Sequence, residues 1–138
     1  MNVDSKTVRC QASSLKLYDF LRDFNNFTRF IPNGHVQGWQ TTGDTCSFSV
    51  GGFLTLKLGF AECTPYSRIV VVPAADSGSP VPIKIIIHLH DNGDDSTSVY
   101  MEFESEGGNP MMTMMLKPKL REMGDKLMDQ LQYYSISL

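Results

Sequence analysis

Two segments, Ile83-Lys84-Ile85-Ile86-Ile87-His88-Leu89 and Thr97-Ser98-Val99-Tyr100-Met101-Glu102-Phe103, repeat apolar side chains at every second position on either side of an acidic, glycine-containing turn. Successive side chains of a strand point to opposite faces, so this pattern predicts an antiparallel hairpin with one buried face. With residues 91–95 as the loop, Leu89 is expected opposite Thr97, Ile87 opposite Val99, Ile85 opposite Met101 and Ile83 opposite Phe103. Lys84 then faces Glu102 on the outer side.

The same period of two begins further upstream, at Val36. A two-residue loop at Gly43-Asp44 pairs Thr42 with Thr45, which sets Trp39 opposite Phe48 and Thr41 opposite Cys46 on one face. A loop at Gly51-Gly52-Phe53 pairs Val50 with Leu54 and brings Leu56 across from Phe48. The pattern continues through Leu58 and Phe60 to a turn at Thr64-Pro65-Tyr66-Ser67. The next strand, Arg68 to Val72, is apolar on successive positions and gives no clear inward side.

Helical spacing flanks these strands. A strand over residues 5–10 leads to Ser13, a good N-cap, after which Leu17, Phe20, Leu21 and Phe24 recur at helical intervals. Asn25-Asn26 is expected to interrupt this helix, Phe27, Phe30 and Ile31 to form a second, and Pro32-Asn33-Gly34 to end it. At the other end, Asn109 reads as an N-cap and Pro110 as the first residue of a helix reaching to about residue 132. Its stripe is Leu116, Leu120, Met123, Leu127 and Leu131. Pro118 removes a backbone donor and crowds the preceding turn, which predicts a kink or break between Met114 and Pro118. Gly124 costs a helix about 1 kcal/mol relative to alanine, a cost acceptable where the helix must approach the sheet closely.

The predicted order is therefore a strand, two short helices, about six antiparallel strands and a long terminal helix. With that order, the runs Tyr18-Asp19-Phe20-Leu21-Arg22-Asp23-Phe24-Asn25-Asn26-Phe27, Val36-Gln37-Gly38-Trp39-Gln40 and Asn109-Pro110-Met111-Met112 resemble the SRPBCC superfamily of START-like domains. That superfamily includes Bet v 1-type allergens, START lipid-transfer domains and polyketide cyclases. The resemblance implies an α+β helix-grip fold for residues 1–138 as one domain, with a curved antiparallel sheet of about six to seven strands around the C-terminal helix. It also implies a cavity between sheet and helix that binds or transports a hydrophobic or amphipathic small molecule, lipid-like or polyketide-like. Two alternatives remain open: a polyketide cyclase/dehydratase enzyme using the same cavity, and a protein-interaction module with a filled core. Because the chain is shorter than a typical START domain, the smaller ligands of the superfamily fit better.

The residues expected to wall the cavity are Trp39, Phe48, Leu56, Ile87, Met101, Phe103, Met111 and Met115. The last two belong to a methionine-rich opening of the terminal helix, where flexible thioethers suit a guest of irregular shape. An enzyme would need a polar group at the mouth, for which Tyr66, His35 and Trp39 are the candidates. No G-x-S-x-G elbow occurs, and Cys46, pointing inward among apolar neighbours, reads as packing. Gly51-Gly52 joins two strands and precedes no helix, so no phosphate-binding loop and no cofactor are expected. His88 and His90 share a strand face and Asp94 lies near, but that face is the one opposite the isoleucine row, so a solvated surface is preferred to a metal site. Asp91, Asp94 and Asp95 lack calcium-loop spacing and read as a solvated turn.

Composition narrows the remaining classes. At 138 residues the chain has the size of one domain, and 41% apolar with 20% charged residues is an ordinary globular balance. A net charge of −3 with scattered Lys and Arg supplies no field for nucleic acid. The first residues lack a signal-peptide layout and no stretch is apolar enough to span a membrane, so a cytoplasmic location is expected. Cys10, Cys46 and Cys63 match neither a disulfide framework nor a zinc pattern. Nothing in the sequence decides between a monomer and a homodimer.

Overall fold

The computed structural model describes residues 1–31, 37–50, 54–74, 83–106 and 110–138. In chain order the elements are β1 (Asn2–Asp4), β2 (Val8–Cys10), α1 (Ser14–Leu21), α2 (Phe24–Phe27), β3 (Gln37–Thr41), β4 (Thr45–Val50), β5 (Leu54–Phe60), β6 (Arg68–Pro73), β7 (Ile83–Asp91), β8 (Thr97–Ser105) and α3 (Pro110–Ser135). All the strands join one antiparallel sheet in the order β1-β8-β7-β6-β5-β4-β3, with β2 also paired to β8.

The single N-terminal strand expected over 5–10 is instead two. Val3 sits opposite Phe103 and Val8 opposite Val99, so the N-terminal segment carries one more residue than its partner between these two pairs. Such a bulge bends the strand. Ser5 occupies it, accepting from the Met101 N–H at 2.8 Å through its hydroxyl and donating its own N–H to the Met101 carbonyl at 2.8 Å.

Thr41 pairs with Cys46 and Thr42 donates its N–H to the Thr45 carbonyl, as the sequence predicts near the turn. The register shifts between Gln37 and Gln40, where Gly38 has a positive φ, so the uniform pairing expected as far as Trp39 and Phe48 is interrupted there. Val50 pairs with Leu54 and Leu56 with Phe48, while the loop 51–53 between them lies outside the described residues. The last hairpin differs. Asp91 itself pairs with Thr97, so the loop is 92–96 and every partner moves by two: Leu89 faces Val99, Ile87 faces Met101 and Ile85 faces Phe103. A shift of two keeps each side chain on its predicted face. It does replace the expected Lys84–Glu102 pair, because Lys84 faces Glu104. Positive φ at Gly93 and Asp95, with an Asn92-to-Ser96 backbone bond of 3.1 Å, closes the turn.

Ser13 caps α1 by accepting from the Lys16 N–H at 3.3 Å. The break that follows comes earlier than Asn25-Asn26, because the Asp23 carboxylate accepts from the Asn25 N–H at 2.9 Å and starts a new helix before the asparagines. The third helix runs unbroken through Pro118, so the expected break does not occur. Its buried stripe, including Leu116, Leu120, Met123, Leu127 and Leu131, supplies enough inward burial to outlast one missing backbone bond. The helix packs on β1, β2 and β8. The uniform apolar character of Arg68–Val72 also has a cause: Ile69 and Val71 enter the main core, whereas Val70 is buried on the other face beside Ile86 of β7.

Candidate functional site

Between the sheet and α3, with α2 at one end, lies a cavity of about 40 Å³. The two-helix elbow positions it from one side: Asp23 caps α2, and the i, i+3 pair Phe24 and Phe27 thereby points inward, followed by Ile31. The sheet contributes Trp39 of β3, Cys46 and Phe48 of β4, Leu58, Val71, Ile85, Ile87 and Met101. From the helix come Met123 and Leu127.

Four aromatic rings form a connected group in this wall. Phe24 and Phe27 have centroids 5.4 Å apart, Trp39 stacks at 6.3 Å from Phe27, and Phe48 lies 5.8 Å from Trp39. Behind them, Phe60 lies flat against Phe24 at 4.2 Å and carries the Arg22 guanidinium on its ring at 4.3 Å. The indole Nε1 of Trp39 donates to the Thr28 hydroxyl at 2.9 Å, so its polar edge is already satisfied.

The eight residues predicted to wall the site divide evenly. Trp39, Phe48, Ile87 and Met101 line the cavity. Leu56 and Phe103 are fully buried, but in the surrounding core. Met111 and Met115 are 72% and 52% exposed, so they face solvent and the cavity opens on the second half of the helix. Their helical positions explain the correction, since they stand off the Leu116 and Leu120 stripe that faces the sheet. Most of the other lining residues lie on rows that the sequence identifies, Ile85 with Ile87, Leu58 with Leu56, and Met123 and Leu127 within the helical stripe, whereas Val71 belongs to the strand whose inward side the sequence leaves undecided. Phe24 and Phe27 needed the capping role of Asp23 to be recognised.

The chemistry of the wall is almost entirely that of contact. Its one titratable group among the described residues is the Cys46 thiol, which burial pushes up to about 12 against a weaker opposing hydrogen bond to Leu58. A thiol so placed stays protonated near neutrality and makes a poor nucleophile. Tyr66 sits at a turn, half exposed and edge-on to Tyr18 at 5.6 Å, outside the lining, and His35 lies outside the described residues. His88 is hydrogen-bonded through Nε2 to Glu102 at 2.8 Å and stacked on Tyr100 at 4.5 Å, on the sheet's outer face. Asp94 is occupied by Arg9 and by the Ser96 N–H. Asp91 accepts from the Gly93 N–H, so the acidic turn spends carboxylates on its own backbone. Among the described residues no helix is long and apolar enough to cross a membrane.

No family model and no curated protein matches the sequence. Solved structures do match the fold. A START superfamily protein from Mycobacterium smegmatis is 17% identical with a TM-score of 0.72, covering 99% of this chain and 97% of its own. A protein from Thermus thermophilus is 10% identical with a TM-score of 0.75, covering 99% of this chain and 98% of its own. The di-domain ARO/CYC protein BexL of the BE-7585A biosynthetic pathway is 12% identical with a TM-score of 0.69; the match covers all of this chain, 100%, and 47% of BexL. The chain therefore has a START-like helix-grip fold.

Proposed function

We propose that this protein binds a small, flat, apolar molecule between sheet and helix, with the aromatic wall of Phe24, Phe27, Trp39 and Phe48 as the recognising surface. The observation that carries this reading is a cavity whose lining is apolar throughout and aromatic at one end. Packed interiors seldom leave such a space, and apolar cavities stay dry and accept apolar guests. At about 40 Å³ the cavity is far below the roughly 300 Å³ of an ordinary ligand pocket. Binding therefore requires the wall to open. The four-residue α2 is the part best suited to move, because so short a helix has little stability of its own.

The sole tryptophan lies in the wall, which gives a direct test. Titration with a naphthalene-type fluorophore or a medium-chain fatty acid should quench or shift Trp39 emission, and native mass spectrometry should detect a one-to-one complex. Met123→Phe, which fills the cavity from the helix side without adding a second tryptophan, should remove both signals while leaving the far-ultraviolet circular dichroism unchanged. Absence of any complex across such a panel would overturn the reading. The nearly filled interior favours a second one, in which the domain acts as an interaction module. That alternative predicts that no added apolar compound raises the thermal midpoint.

A further inference from the structure

The first half of α3 carries two apolar stripes. One faces the sheet through Leu116 and Leu120, both buried. The other consists of Met111, Met114, Met115 and Pro118 at i, i+3, i+4 and i+7, a spacing that aligns them on one helical face. Its methionines are 72%, 77% and 52% exposed. Methionine is ordinarily among the more buried residue types, so three in register on solvent are not accounted for by the core.

Charge distinguishes the same stretch. Residues 110–121 contain Lys117, Lys119 and Arg121 and no acidic residue, in a chain whose net charge is −3. An open groove runs between Met114, Lys117, Pro118 and Arg121. The outward line then changes character, because the next positions along it, Glu122 and Asp125, are acidic. A flexible, solvent-exposed apolar strip flanked by cations and bounded by anions suits a flat, deformable surface with negative headgroups more than a protein pocket.

We infer that residues Met111–Arg121 dock the domain on an anionic lipid bilayer, with the methionines at the acyl boundary and Lys117 and Arg121 at the headgroups. The helix lies on the membrane and does not span it. Neither the methionine strip nor the basic residues alone would hold the protein there: shallow apolar burial and a few cations are two weak signals that act together. This docking does not depend on whether the cavity is occupied, so the two readings stand or fall separately.

The test is flotation of the full chain, without added ligand, on phosphatidylcholine vesicles with and without roughly one-third phosphatidylserine. Binding is expected only to the phosphatidylserine vesicles, and high salt should release it. Each basic residue near such a surface is worth a several-fold change in partition, so Lys117→Glu with Arg121→Glu should weaken it at least about tenfold. Replacing Met111, Met114 and Met115 by Gln should weaken it as well, with the thermal midpoint nearly unchanged because all three are exposed. No binding at low salt, or equal binding to neutral vesicles, would overturn the inference. So would binding indifferent to both sets of substitutions. A concentration-dependent dimer that the Met→Gln protein no longer forms, without vesicle binding, would overturn it too and assign the strip to self-association.

Discussion

A Cβ placed on Gly124 would stand 3.0 Å from Cε2 of Phe103, and equally 3.0 Å from the Cβ of Ser5. The glycine is thus where α3 comes close to the sheet, against the fully buried Phe103 ring and the bulge that Ser5 holds against Met101. Gly124→Ala would gain about 1 kcal/mol of helix propensity. It must also displace a packed ring or the bulge, and overpacking of this kind costs about 1–3 kcal/mol. The expected outcome is a net loss of about 1 kcal/mol, read as a lower midpoint in urea unfolding. A stabilised variant would show that the helix can lift without penalty.

How far this was legible from sequence depends on which physical rule governed each residue. The faces of β7 and β8 follow from alternation alone and survived a register error of two, since parity, not pairing, decides which side is buried. The pairing itself depends on loop geometry at Gly93 and Asp95, where positive φ closes the turn in a way that composition does not specify. Gly124 could be anticipated because a glycine inside a helix needs a reason. The Met-rich start of α3 could not be placed, because methionine serves equally in a pocket, a core or an exposed strip, and only the phase of the helix against the sheet decides. That phase is set by Leu116, Leu120 and Met123.

Pro118 lies inside an unbroken helix. It donates no N–H, so the Met114 carbonyl loses its partner four residues on, and the ring crowds that turn. Pro118→Ala restores the donor at an exposed position with little effect on packing. A proline in a helix interior costs about 3 kcal/mol relative to alanine, an upper limit where the surrounding helix has already adapted. The variant should therefore melt higher by an amount equivalent to about 1–3 kcal/mol. No gain in differential scanning calorimetry would mean that the helix has absorbed the proline at no cost.

The buried thiols predict how stability responds to alkali. Burial raises Cys46 from its ordinary 9.0 to about 12, and Cys10 to about 11 despite a hydrogen bond from Ser135 that opposes the shift. In the unfolded chain both thiols ionise near their ordinary value, whereas in the folded protein they hold their protons. The unfolded state thus binds fewer protons above about pH 9, and stability falls as pH rises. Each thiol contributes a slope of about 1.4 kcal/mol per pH unit in this window, which ends near 11 for Cys10 and near 12 for Cys46. Cys46→Ala should flatten the decline in unfolding free energy between about pH 9 and 11 relative to the parent, even though it lowers stability at neutral pH by leaving a small cavity. An unchanged slope would show that the thiol is not protected.

Acid stability should depend on the outer face of the sheet, at the Glu102–His88 pair. The hydrogen bond with His88 is the leading reason that the Glu102 carboxyl titrates below its ordinary 4.5, with Glu104 and Asn2 assisting and partial burial opposing. Glu104 moves the other way, because it shares a hydrogen bond with the ionised Glu102 and is repelled by it, while Lys84 and Arg68 temper the effect. A depressed carboxyl stabilises the folded state above its unfolded value, and that contribution disappears as pH falls through the folded one. The raised Glu104 has the opposite sign: its contribution is present below 4.5 and fades as pH rises through its folded value. The two adjacent carboxyls therefore partly cancel near their ordinary range, and the loss due to Glu102 emerges only below it. Glu102→Gln removes the depressed group and relieves the repulsion that raises Glu104. Its stability should decline less than the parent's on going from about pH 5 to about pH 3, in thermal melts followed by circular dichroism. A steeper acid decline in the Gln variant would reverse the assignment of which carboxyl holds the charge.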